Sequence, residues 1–225
     1  MASLEEVLDK LNAAARPDQV GGMTAEGRLG VSVPEMRGIA KAIGRDHQLA
    51  LALWATGLAE ARIVAALVDD PKSLSEQQMD DWEKDFNSWD VCDQVCLNLF
   101  DKTPLAWKKV VDWAEREEEY VRRAALALIA CLAWHDKKAR DEDFIGLFPI
   151  IKRGAADERN YVKKAVSWSL RQIGKRNARL NQAALELAAE IGQLPSKAAR
   201  WVASDAIREL TGAPPKSRAA KRSES

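Results

Sequence analysis

Glycine and proline are scarce in this chain, 12 and 8 of 225 residues, while alanine, leucine, glutamate, lysine and arginine dominate. That balance turns the reading away from a β fold, whose strands favour branched and aromatic residues. No stretch of 18 apolar residues occurs, so no membrane span is expected. The opening MASLEEVLDKLNAAA is acidic and amphipathic, without the basic start and apolar run of a secretory signal, and a cytoplasmic protein is expected. Cysteine is limited to Cys92, Cys96 and Cys131, an odd number without repeated spacing, which argues against a disulfide framework. Cys92 and Cys96 are four apart, and His135 follows Cys131 by four, but apolar neighbours surround the thiols. Buried cysteines acting as small hydrophobes are the better account, and no metal is expected.

Charge of either sign is not in excess overall, with 34 Lys/Arg against 34 Asp/Glu. It is unevenly spread: residues 151–225 hold 16 basic and 7 acidic side chains, and residues 1–150 hold 18 and 27. An anionic partner meeting the C-terminal part would explain the asymmetry, as would a solvated surface with a basic tail. Hydrophobic residues make up 47% and charged residues 30%, ordinary for a soluble domain or a continuous solenoid large enough to bury a core.

Apolar residues recur at three and four spacing through segments 3–15, 34–44, 47–57, 59–68, 75–85, 89–100, 104–115, 119–134, 142–153, 159–175, 180–192 and 196–211. Short breaks carry stop and start signals such as Ser32-Val33-Pro34, Asp70-Pro71, Thr103-Pro104 and Leu194-Pro195-Ser196. Twelve short helices joined by brief turns suit stacked helical hairpins. YVRRAALALIACL from Tyr120 returns as YVKKAVSWSLRQI from Tyr161, 41 residues later, with fainter copies at Trp201 and near Glu60. A period near 40 with two helices per unit predicts an all-α superhelical stack of HEAT-like repeats over residues 1–212, with a groove along the inner helices. Residues 213–225, APPKSRAAKRSES, read as a disordered basic tail.

One segment stands apart, Asn87-Ser88-Trp89-Asp90-Val91-Cys92-Asp93-Gln94. Ser88 suits the N-cap of a helix running to Phe100. Trp89 and Asp93, at i and i+4, then share a face with Cys96, Leu97 and Phe100, an apolar setting for a carboxylate. The helix dipole favours its ionised form, which can stabilise a developing cation or activate a water. Aligning the repeats puts Lys164 at the position of Arg123, with Trp168 and Arg171 following on the same edge. Basic and aromatic side chains interleaved this way suit a phosphate backbone and its sugars. An Asp93–Arg123 pair gluing neighbouring repeats accounts for the spacing equally well. Trp54, Trp107, Trp113 and Trp134 read as core packing, and Arg122, Arg153 and Lys163 as solvated charges.

These motifs resemble the bacterial DNA alkylation repair proteins, the HEAT-like glycosylases that remove positively charged alkylated purines. The resemblance runs from about Leu29 to Thr211, on SWDVCD (Ser88–Asp93), YVRRAALAL (Tyr120–Leu128), YVKKAVSWSLRQIGKRN (Tyr161–Asn177), GVSVPEMRGIAK and SKAARWVASDAIREL. It implies a catalytic carboxylate at Asp93, four residues after Trp89, with Arg123 holding a phosphate and Trp168 as a second aromatic wall in the K-A-x-x-W-x-L-R pattern. Ser88 departs from the family, where a second tryptophan often stands. The implied partner is double-stranded DNA containing alkylated bases, contacted through the backbone of the lesion strand, without metal or organic cofactor, by a monomer. Two other uses of such a stack stay open: a non-catalytic binder of distorted or branched DNA, and a protein-interaction solenoid.

Overall fold

A computed structural model describes residues 2–20 and 27–212. Among them every regular element is helical. The order is α1 (Leu4–Ala13), a 3₁₀ turn at Pro17–Gln19, α2 (Val33–Ile43), α3 (His47–Ala55), α4 (Ala59–Val68), α5 (Glu76–Lys84) and α6 (Trp89–Asn98). A second 3₁₀ turn at Phe100–Lys102 leads to α7 (Ala106–Ala114), α8 (Glu119–His135), α9 (Asp141–Ile145), α10 (Phe148–Gly154), α11 (Asn160–Gly174), α12 (Ala178–Gly192) and α13 (Lys197–Leu210). The basic tail expected at 213–225 lies outside the described residues.

The helix starts follow from their caps. Ser3 with Glu6 and Ser32 with Glu35 form capping boxes, and Asp46, Ser75, Asn177 and Ser196 each accept a backbone N–H of the first turn. Where twelve helices were expected, thirteen form among the described residues, because 142–153 divides at Gly146-Leu147. Pro149 has no N–H to donate back into the preceding turn, and it takes the second position of α10 instead. The segment predicted to reach Phe100 ends at Asn98, and its last residues tighten into the 3₁₀ turn.

The helices pair into a superhelical HEAT-like stack. One row runs α2, α4, α6, α8, α11, α13, each packed on the next, with α3, α7 and α12 backing it. Helix α8 sits in the middle and buries twelve of its seventeen residues, Val121 and Arg123 through Ala133. A helix apolar nearly all round belongs inside, and the single arginine in that buried stretch must find partners there. One apolar core follows the row from Val7 to Ala206. Trp54 and Trp113 belong to it, and Trp54 stacks on Trp82 with ring centroids 3.9 Å apart. Trp134 does not: it ends α8 and is 52% exposed. The apolar periodicity of α8 continues to its last turn, where Leu132 and Ala133 stay buried but the Trp134 side chain faces solvent.

Candidate functional site

Five of the six side chains singled out in the sequence meet in one cleft. Trp89 and Asp93 on α6, Arg123 on α8, and Lys164 and Trp168 on α11 line a cavity of about 230 Å³ together with Tyr161. Three successive helices of the row each contribute side chains from their first three turns, which is why residues 30 to 41 apart in sequence converge.

The start of α6 is fixed from a distance. Ser88 occupies the N-cap position, but its hydroxyl does not cap the helix. It accepts Arg28 Nη2 at 3.0 Å, and Arg28 also forms an ion pair with Asp90 whose side chains are 2% and 9% exposed. The expected cap is thus replaced by a tether, since a buried guanidinium offers Ser88 a stronger, charge-assisted partner than the helix N–H groups do.

Arg123 is nearly buried and uses its fork twice. Nε and Nη2 donate to the two Asp93 carboxylate oxygens at 2.9 and 2.7 Å, and Nη1 donates to the Tyr161 carbonyl at 2.5 Å. The pair expected to glue neighbouring repeats therefore exists, and it forms the floor of the cleft. The guanidinium lies 6.0 Å from the Trp89 ring centroid, within cation–π reach. Burial pushes the Asp93 carboxyl above its ordinary value of 3.8; Arg123 opposes the rise and nearby Asp90 adds to it. Burial also works against the Arg123 charge, yet Asp93 beside it leaves the guanidinium even harder to deprotonate than usual.

Trp168 is half-buried on the far wall and Lys164 is exposed at the rim. Arg171 is not brought to the cleft. Its guanidinium is held by Glu209 and lies 3.6 Å from Asp205, so it ties α11 to α13. Repeat register predicted its edge but not the acidic residues of α13 that occupy it. Tyr161 and Arg28 are the members that sequence reasoning did not assign to the site. Tyr161 had a signal, because it opens a repeat 41 residues after Tyr120, and the two rings stack at 5.8 Å. Arg28 precedes Asp90 by 62 residues and had none.

The three thiols are buried around the α6–α8 contact, where Cys92 and Cys96 lie 3.8 Å from the carbonyl oxygens of Tyr120 and Ala124. Burial pushes the Cys96 and Cys131 thiols well above the ordinary range. His135 pairs with Asp101 rather than with Cys131. Among the described residues, no group of three His, Cys, Asp or Glu is placed to hold a metal ion, and no helix is long and apolar enough to cross a membrane.

Residues 7–210 match the family model described as DNA alkylation repair enzyme. The chain belongs to that family. A solved structure described as a new family of proteins related to the HEAT-like repeat DNA glycosylases, with affinity for branched DNA structures, aligns with a TM-score of 0.77. The two are 22% identical, over 94% of this chain and 97% of the other. A designed armadillo repeat protein solved with the peptide (KR)4 aligns with a TM-score of 0.42 at 15% identity, over 92% of this chain and 82% of the other. No curated protein matches in sequence. The family spans the whole inner row, so the cleft built by α6, α8 and α11 lies entirely within the matched region.

Proposed function

We propose that this family member is a DNA glycosylase that hydrolyses the N-glycosidic bond of cationic N3- or N7-alkylated purines in duplex DNA. The observation that carries the reading is a shielded carboxylate, Asp93, in a cleft open to solvent that Trp89, Trp168 and Lys164 also line. The alkylated purine leaves with the electron pair of the C1′–N bond, which cancels its own positive charge and leaves an oxocarbenium-like sugar. Asp93 stabilises that sugar and orients the water that adds to C1′, and the water's proton passes to solvent. Trp89 and Trp168 pack against the sugar and backbone, and Lys164 meets a phosphate. Arg123 acts as a positioning residue, since three of its five N–H donors are already committed to Asp93 and Tyr161.

The test is release of N3-methyladenine or N7-methylguanine from methylated duplex DNA. Wild type should release base, and Asp93→Asn, with its fold checked by thermal melting, should lose that release at least ~100-fold, as expected when an electrostatic stabiliser is removed. Equal release by Asp93→Asn removes Asp93 from the chemistry. A second reading has its own support: both Asp93 oxygens already accept from Arg123, as structural glue would, and the protein aligned at TM-score 0.77 is described as having affinity for branched DNA. Tight, salt-sensitive binding of branched DNA without base release would favour it.

A further inference from the structure

The cleft just described lies at the N-terminal ends of α6 and α8. Their C-terminal ends open on another, of about 370 Å³, lined by Arg37, Leu97, Asn98, Lys102, Trp134 and His135. Trp134 is 52% exposed at the end of the largely buried α8. Its ring centroid stands 5.4 Å from that of His135, and His135 is held by Asp101, whose side chain is fully buried. A neighbouring hollow of about 280 Å³ shares Arg37 and adds Lys41 and Arg45.

Arg37, Lys41, Arg45 and Lys102 are all exposed, and none forms an ion pair with a described carboxylate. Arg37 Nη2 reaches only the Asn98 side-chain oxygen, at 3.4 Å. Arg45 donates to the carbonyls of Leu67 and Asp69, and Lys102 Nζ to that of Asn98 at 2.5 Å. The nearby acids face other partners: Asp101 pairs with His135, Asp69 with His47 and Gln78, and Asp46 accepts the Leu49 N–H. The buried or half-buried cations Lys109, Arg122 and Arg171, by contrast, are held by Asp80, Asp157 and Glu209. Arg37 and Lys102, without a carboxylate partner, share the cleft with a solvent-facing indole, and Lys41 and Arg45 line the hollow beside it; the combination suits a ligand that brings both negative charge and a flat aromatic face.

We propose that this second cleft binds an unpaired nucleotide of a DNA strand, its base stacked on Trp134 and its phosphates on Arg37 and Lys102. Successive phosphates answer the cations, and an unstacked base answers the indole, the combination by which single strands are held without sequence preference. A fully paired duplex keeps its base faces inside its own stack and offers Trp134 nothing to cover. Trp89 and Leu97 are eight residues apart on α6, roughly 12 Å at the helical rise. That is the span of three to four positions along one B-form strand, at about 3.4 Å each. Duplex at the first cleft and an unpaired strand leaving it at the second are therefore compatible. The inference rests on the reading of this protein as DNA-binding, but not on chemistry at Asp93.

The test is fluorescence anisotropy with a labelled blunt duplex and the same duplex carrying a short single-stranded overhang. Wild type should bind the overhang substrate more tightly. Trp134→Ala should weaken that complex about ten-fold, the scale of one lost stacked base, and leave the blunt duplex unchanged, while Trp134→Phe keeps most of the preference. Arg37→Gln should weaken the overhang complex and flatten its salt dependence. Equal affinity of wild type and Trp134→Ala for the overhang substrate overturns the proposal. If wild type releases alkylated bases but shows no overhang preference, this inference alone falls. If it binds neither DNA at low salt, the proposed function falls with it.

Discussion

Replacing Arg123 by methionine separates the two roles that meet at Asp93. The side chains of the pair are 6% and 14% exposed, and two hydrogen bonds of 2.9 and 2.7 Å join them, so solvent screens the interaction little. Removing one partner of such a buried pair costs about 3–5 kcal/mol, chiefly because the other charge is left uncompensated. Methionine keeps most of the arginine stem's volume, so a cavity adds little. The proton sets the pH dependence. Burial already holds the Asp93 carboxyl above 3.8, and losing the guanidinium that opposes this rise lifts it further. An acid whose folded pKa exceeds its unfolded value binds its proton more tightly when folded. The variant's deficit is therefore smallest below the wild-type Asp93 pKa, which itself lies above 3.8, grows as pH climbs from there to the variant's higher pKa, and is constant above it. Urea denaturation should show a loss of about 3 kcal/mol near neutral pH, and a loss smaller by about 1 kcal/mol or more near the lower end of that window. Asp93→Asn in the same background should recover part of the neutral-pH loss. A deficit that does not change with pH would refute the account, since it would mean that Asp93 is not the charge left behind.

Four further outcomes are expected. Base release should lose its acid limb at a pH above 3.8, because the ionised Asp93 on which it depends is protonated as pH falls through a raised pKa; a pH–rate profile checks this. Glu83 is 1% exposed with one carboxylate oxygen unpartnered, and burial pushes its carboxyl up to about 7 against the pull of Arg116. Stability should therefore fall as pH rises from 4.5 to about 7, and Glu83→Gln should remove that segment of the Tm–pH curve. Gly30→Ala should destabilise by about 2 kcal/mol or more in a thermal melt, since φ is +75° and a Cβ would stand 2.1 Å from the Arg16 carbonyl oxygen. Arg28→Met should lower Tm and reduce base release, because it frees Ser88 and leaves Asp90 buried and unpaired at the turn that aims Trp89.

Much of this was legible in the sequence because repeats make it so. YVRRA and YVKKA, 41 residues apart, placed Arg123 and Lys164 in register, and helical spacing placed Asp93 over Trp89. Those two regularities suffice to bring five side chains to one cleft. What escaped depends on single non-repeating contacts. Arg171 keeps the register and yet leaves the site, because Glu209 and Asp205 on α13 compete for it. Ser88 keeps its cap position and gives its hydroxyl to Arg28, from a segment with no periodic relation to α6. Trp134 follows the apolar period of α8 but faces solvent in the same turn that buries Leu132 and Ala133. Periodicity reports which face a residue is on, and it does not report which parts of that face a neighbour covers.

The proposed chemistry also constrains where Asp93 must stand. The substrate is cationic before the bond breaks, so a carboxylate near the purine would stabilise ground state and transition state alike, and uniform binding does not speed the step. Charge leaves the ring and appears at C1′, so Asp93 gains only if it is closer to the sugar than to the base. An open cleft of about 230 Å³ lined by two indoles favours contact with the sugar and backbone over enclosure of a base. Arg123 does not defeat this arrangement. A carboxylate offers about four acceptor sites, and Arg123 fills one on each oxygen. The remaining two can serve a water and the developing cation while the guanidinium keeps the group ionised in surroundings that oppose its charge. The bond that glues two repeats together is thereby the bond that keeps the carboxylate charged and aimed, and a single side chain serves both ends.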